Sequence, residues 1–177
     1  MPTRPPWKGP EPQVPPPSPV LVQILHAAAE RLEAIEAGDA YFSTPKAVFR
    51  EFVFLDAVND LPVFIVLPWF DEEDATARDL GMGETGGTID AVMSLGVLAY
   101  GEGTSSKTVS DVCLELLADA EVALTTPDFH LGLTANIVED IQNTRRSAIP
   151  PDLYDPDRRG AMGHVYRVRY LYEQGVP

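Results

Sequence analysis

Between Val20 and Ile35 the apolar residues Leu21, Ile24, Leu25, Ala28, Leu32 and Ile35 recur at three- and four-residue spacing, which predicts an amphipathic helix over 19–37. Ser18 is read as its N-cap, Pro19 as its first helical residue and Gly38 as its stop. The period then changes. Residues 47–54 and 62–68 are rich in β-branched and aromatic side chains, so they read as strands, with 56–60 as a hairpin loop between them. The run Val63-Phe64-Ile65-Val66-Leu67 is apolar at every position, as in a strand covered on both faces. If helices cover only one side, the other is open to a further subunit.

A polar loop over 71–87 precedes a long strand at 88–100, with Ile89, Ala91, Met93, Leu95 and Val97 on one face. A second helix is predicted over 107–124, its apolar side traced by Val109, Val112, Cys113, Leu116, Leu117, Ala120 and Leu124. Residues 131–142 read as a strand in which Ile137 and Ile141 alternate with polar groups, and 148–162 as a long proline-containing loop. From His164 onward Tyr166, Val168, Tyr170 and Tyr172 share one face and Arg167 and Arg169 the other, a strand with a basic outer side. The predicted fold class is α+β: a sheet of four or five strands, mostly antiparallel, with two amphipathic helices packed on one face.

Composition adds a boundary. Residues 1–17 hold eight of the 17 prolines and favour extended polyproline II, so they form an arm apart from the single domain of residues 18–177. The arm is either a tail or, carrying Trp7 among prolines, a segment that drapes over a neighbouring subunit. A domain of this size buries roughly 70% of its unfolded surface and needs no covalent staple. The single cysteine, Cys113, lies on the apolar side of the second helix and reads as a small buried hydrophobe. The sequence shows neither a secretory leader pattern nor an apolar run of about 20 residues, so a soluble chain in a reducing compartment is expected. Net charge is −14, from 27 acidic and 13 basic residues, which argues against affinity for a phosphate backbone and suits a surface along which a polyanion slides.

The motifs that resemble chemistry stand in the wrong context. Gly81-Met82-Gly83-Glu84-Thr85-Gly86 satisfies the dinucleotide-binding spacing, but an acidic stretch precedes it and a strand follows. As a phosphate loop it fails at Gly87, where lysine is required. Asp71-Glu72-Glu73-Asp74 lacks the alternating donors and central glycine of a calcium loop. His26, His130 and His164 form no metal-binding spacing, and Asp128 with His130 is the best acid–base pair the chain offers. No catalytic, cofactor-binding or metal-ligating residue is assigned, and no cofactor is expected.

The whole-chain pattern resembles the tail terminator family of long-tailed bacteriophages. The resemblance rests on the opening helix, on Arg50 within Val48-Phe49-Arg50-Glu51-Phe52, and on Leu61-Pro62 opening a buried strand. It continues in the run Leu116 to Leu124 that ends the second helix, in Tyr166-Arg167-Val168-Arg169-Tyr170, and in Gly175-Val176-Pro177. It spans residues 18–177 and departs from the family in the arm and the 148–162 segment. It implies a structural virion protein, not an enzyme: a homohexameric ring on the tail tube protein that stops tube polymerisation and offers a head-docking surface. Its expected place is the head–tail junction of a virion assembled in the host cytoplasm, touching a head-side connector or stopper protein. Genomic DNA would only pass through the lumen, with no sequence-specific binding and no membrane contact. Expected contacts between subunits are Trp7, Arg50, Trp69, Phe70, Arg167 and Arg169. The alternatives are a head-side connector or stopper of the neck and, third, a small acidic soluble enzyme.

Overall fold

A computed structural model describes residues 19–38, 40–69, 88–133, 137–148 and 159–173. Its elements run α1 (Val20–Glu33), β1 (Ala47–Phe49), a 3-10 turn (Leu55–Ala57), β2 (Val63–Trp69), β3 (Thr88–Glu102), α2 (Val109–Thr125), β4 (Val138–Ala148) and β5 (Arg159–Glu173). The strands form one sheet in the order β1-β2-β3-β5-β4. Three of its junctions are antiparallel and β1–β2 is parallel, so the fold is the expected α+β arrangement with a mostly antiparallel sheet. Residues 1–18, which hold the arm with Trp7, lie outside the described residues. So do Phe70, the acidic run 71–74 and the glycine motif 81–86.

Alternation along the strands sorts the sheet into two faces. Phe64, Val66, Met93, Leu95, Val97, Ala99, Tyr166 and Val168 point to one side, where both helices cover them in a single core with Ile24, Ala28, Leu32, Leu116, Leu117 and Leu124. Each of these leucines is essentially sealed from solvent, and such burial contributes about 1.5–3 kcal/mol per side chain. On the other side Val63, Ile65, Leu98, Tyr100 and Ala161 form a smaller cluster under Leu55 and Val58. The Tyr100 hydroxyl donates to the Val53 carbonyl at 2.9 Å and Arg159 Nη1 to that of Val58 at 3.0 Å, pinning this covering segment down.

That segment corrects the predicted hairpin. After Phe49 the chain leaves the sheet, crosses its outer face through Leu55 and Val58, and returns as β2 in the same direction, with Ala47 opposite Val63 and Phe49 opposite Ile65. Residues 56–60 are therefore part of a crossover, whose thirteen residues (50–62) suffice for a parallel connection. The apolar run of β2 is indeed covered on both faces, but its second cover is the chain's own crossover. A further subunit is not required there.

The other differences are of boundary. α1 starts at Val20 and its C-cap is Ala34, so Pro19 stands at the N-cap, without a side-chain cap bond, and Gly38 lies beyond the helix. α2 starts with a reciprocal cap in which Thr108 Oγ1 accepts from the Asp111 amide and the Asp111 carboxylate accepts from Thr108. The Thr108 hydroxyl, followed by its amide, also holds the Asp111 carboxyl below its ordinary value. The predicted strand 131–142 is displaced to β4. Its first part is instead a tight turn in which Leu131 and Gly132 have φ of 55° and 72°, which no strand accommodates. The last strand begins at Arg159, inside the predicted 148–162 loop, and Ala148 ends β4.

Candidate interaction surface

Outward alternation on β5 places Arg167 and Arg169 on the face away from the helices, both exposed. The pairing register extends that face across the sheet: Trp69 of β2 lies opposite Ser94 of β3, Ser94 opposite Arg167, and Arg167 opposite Gln142 of β4. Gly96, two residues along β3 from Ser94, exists to seat the tryptophan. A Cβ there would stand 2.8 Å from the Trp69 ring, so the indole packs against the sheet at Gly96 while remaining 36% exposed. Arg169 Nε meets Glu139 Oε2 at 3.0 Å, whereas Arg167 meets no carboxylate among the described residues. Three of the six residues expected at subunit contacts, Trp69, Arg167 and Arg169, thus share one exposed face. Arg50 is exposed but separate, one residue beyond β1 and with β2 and β3 between it and β5.

A second exposed surface went unpredicted. On α2 the residues Leu114, Ala118 and Val122 follow at four-residue intervals on the side opposite the core, with Leu114 51% and Val122 38% exposed. Asp111, Glu115 and Glu121 flank this stripe. The signal was present in the sequence: the apolar i, i+4, i+8 series runs beside the one assigned to the core.

Polar groups among the described residues hold the helices in place. Asp119, nearly fully buried on α2, accepts from the Phe42 amide at 2.9 Å and the Ser43 amide at 2.9 Å, fastening the chain between α1 and β1. Burial raises its pKa against the lowering effect of those amides. Arg31 of α1 donates to the carbonyls of Thr126 and Ala123 at the end of α2, and to Asp128 at 3.0 Å. Asp128 Oδ1 also accepts from the amides of His130 and Gly132. The His130 ring turns the other way, its Nδ1 2.6 Å from the Val138 carbonyl, so Asp128 and His130 do not form the acid–base pair their spacing suggested.

Asn143 Nδ2 bridges Glu121 at 2.9 Å and His164 Nδ1 at 3.2 Å; His164 lies inside β5 instead of opening it, and desolvation lowers its pKa. Cys113 is sealed in the core, where burial pushes its thiol up to about 11. An open groove of about 370 Å3 runs between Phe42, Pro62, Thr104 and Lys107, and the Lys107 amine is held 2.7 Å from both Glu115 oxygens. Among the described residues no group of three or more His, Cys, Asp or Glu side chains is placed to hold a metal, and no helix is long and apolar enough to cross a membrane. Compared with known proteins, the chain matches no family model and no curated protein.

Proposed function

We propose that this chain is a structural assembly protein that closes a ring on the end of a phage tail tube, stops its growth and offers a surface for docking to the head. The observation that carries this reading is the shared exposed face of Trp69, Arg167 and Arg169, because tryptophan and arginine are the residues that anchor protein interfaces. A terminator needs one face that matches the tube end and another that a tube subunit does not extend. The chain has two unlike exposed surfaces, the apolar stripe on α2 and the sheet face that carries Trp69, Arg167 and Arg169, and such asymmetry supports the reading. The charge of −14 suits a lumen through which DNA passes without sticking. In this reading the protein stands at the head–tail junction of the virion and works without a cofactor.

The test is imaging of the purified protein mixed with tail tubes by negative stain. Caps on tube ends are expected. Binding confined to portal complexes would assign the chain to the head-side connectors instead, and turnover of a metabolite by a stable monomer would end the assembly reading.

A further inference from the structure

We infer that His164 is a proton-sensitive latch on the outer strand β4: while its ring is neutral, Asn143 ties β4 to α2 through Glu121, and protonation of the ring releases that tie.

The contacts of Asn143 fix where the protons lie. Glu121 Oε2 stands 2.9 Å from one end of the Asn143 amide, and a carboxylate oxygen only accepts, so that end is the NH2 group. The same nitrogen is 3.2 Å from His164 Nδ1. An amide NH2 only donates, so His164 Nδ1 is the bare nitrogen and the ring proton sits on Nε2. His130 is the reverse case. Its Nδ1 lies 2.6 Å from the Val138 carbonyl, an acceptor, so that ring carries its proton on Nδ1.

Protonation sets donor against donor. An imidazolium donates from both nitrogens, and its new Nδ1 proton would face the Asn143 NH2. Turning the amide over presents its oxygen to the ring, but the same oxygen then faces the Glu121 carboxylate, acceptor against acceptor. Asn143 therefore keeps one partner or the other once the ring is charged. The charged ring also attracts Glu121 directly, so α2 exchanges its hold on β4 for one on β5.

The surroundings leave the ring as the group that titrates. Val97 of β3 stands opposite it, and the titratable groups that face it among the described side chains are Glu121 and Tyr166. Tyr166, opposite Asn143 in the pairing register, is sealed from solvent, and its hydroxyl has no hydrogen-bond partner. Burial, then the charge of Glu121, raises its pKa further above the working range. For His164 desolvation outweighs the raising effect of Glu121 and lowers the pKa from 6.5. The unfolded chain takes up this proton first, so the latch contributes fully above 6.5 and is lost as pH falls from there through the folded value.

β4 is placed to respond. It has a strand neighbour on one side only, and its register breaks just after Asn143. It also supplies Glu139, which meets Arg169 at 3.0 Å, and Gln142, opposite Arg167. Loosening β4 thus alters the margin of the exposed face that bears the two arginines.

The experiment uses the full-length chain labelled with 15N. Long-range proton–nitrogen correlation at neutral pH should find the proton of His164 on Nε2 and that of His130 on Nδ1. Hydrogen exchange, corrected for the intrinsic rate, should show protection of the β4 amides falling by about fivefold or more as His164 titrates, with the β3 amides unchanged. His164→Gln takes up no proton and still offers Asn143 an acceptor, so it should keep that protection in acid. Glu121→Gln keeps an acceptor for Asn143 and should move the His164 titration to lower pH, because it removes the charge that raises it. A proton on His164 Nδ1 at neutral pH, β4 protection that holds through the titration, or an equal loss of protection in His164→Gln would each overturn the inference.

Discussion

Arg31 and Asp128 stand 3.0 Å apart, ninety-seven positions apart in sequence, and their contact joins the last turn of α1 to the turn that leaves α2. The same guanidinium collects the Thr126 and Ala123 carbonyls, so it places a cation at the negative end of the α2 dipole. Arg31→Met removes these bonds and should destabilise the fold by about 1–3 kcal/mol, read from urea midpoints.

The acid limb separates the carboxylate from the cation. Asp128 is held below its ordinary 3.8 chiefly by the Gly132 amide, then by the His130 amide and the charge of Arg31. A depressed carboxyl stabilises the fold above its unfolded pKa, and that contribution vanishes as pH falls through the folded one. Asp128→Asn should therefore be less stable than the parent at pH 7 and should converge with it in acid below the folded pKa; parallel curves across that range would refute the sign.

Asp119 has the opposite sign. Its folded pKa lies above 3.8 because burial dominates, so its ionisation costs stability as pH rises from 3.8 through the folded value. Asp119→Asn should flatten that slope. Asp119→Ala orphans the amides of Phe42 and Ser43, for a loss of about 1–3 kcal/mol, and hydrogen exchange at these two positions should accelerate.

Gly96→Ala sets a methyl group against the Trp69 ring, which is half free to swing into solvent. The cost in stability should stay under about 1.5 kcal/mol, at the low end of overpacking. Tryptophan emission, measured with Trp7→Phe in the background, should shift to the red. An unmoved spectrum would mean that the indole does not rest on Gly96.

Cys113 should resist thiol reagents at pH 8 in the folded protein and react only on unfolding, because its pKa near 11 leaves almost no thiolate. Rapid labelling under native conditions would contradict its burial. Since this pKa is raised, ionisation draws stability down as pH climbs from 9 toward 11.

What the sequence made legible was periodicity. The stripes of α1 and α2, the two-face alternation of β3 and β5, and the buried Cys113 all followed from spacing, because burial acts on each side chain in register with its own element. Spacing was silent where the contact partner is remote. The crossover after Phe49 looks like a hairpin locally, and it is the distant Tyr100 and Arg159 bonds, with the packing of Leu55 and Val58, that hold it across the sheet. Asp119 reads as one more surface acid, since its partners at Phe42 and Ser43 lie more than seventy residues away. Trp69 and Arg167 were singled out separately. Their common face depends on the sheet order, which one strand's pattern does not contain.

The two outer strands bear on how this chain behaves at high concentration. β1 is three residues long, and β4 breaks its register between Val138 and Asp140 and again between Asn143 and Arg146. Neither margin offers the long, straight run of free amides and carbonyls that templates strand addition, so fibril-like growth through the main chain is suppressed at both flanks.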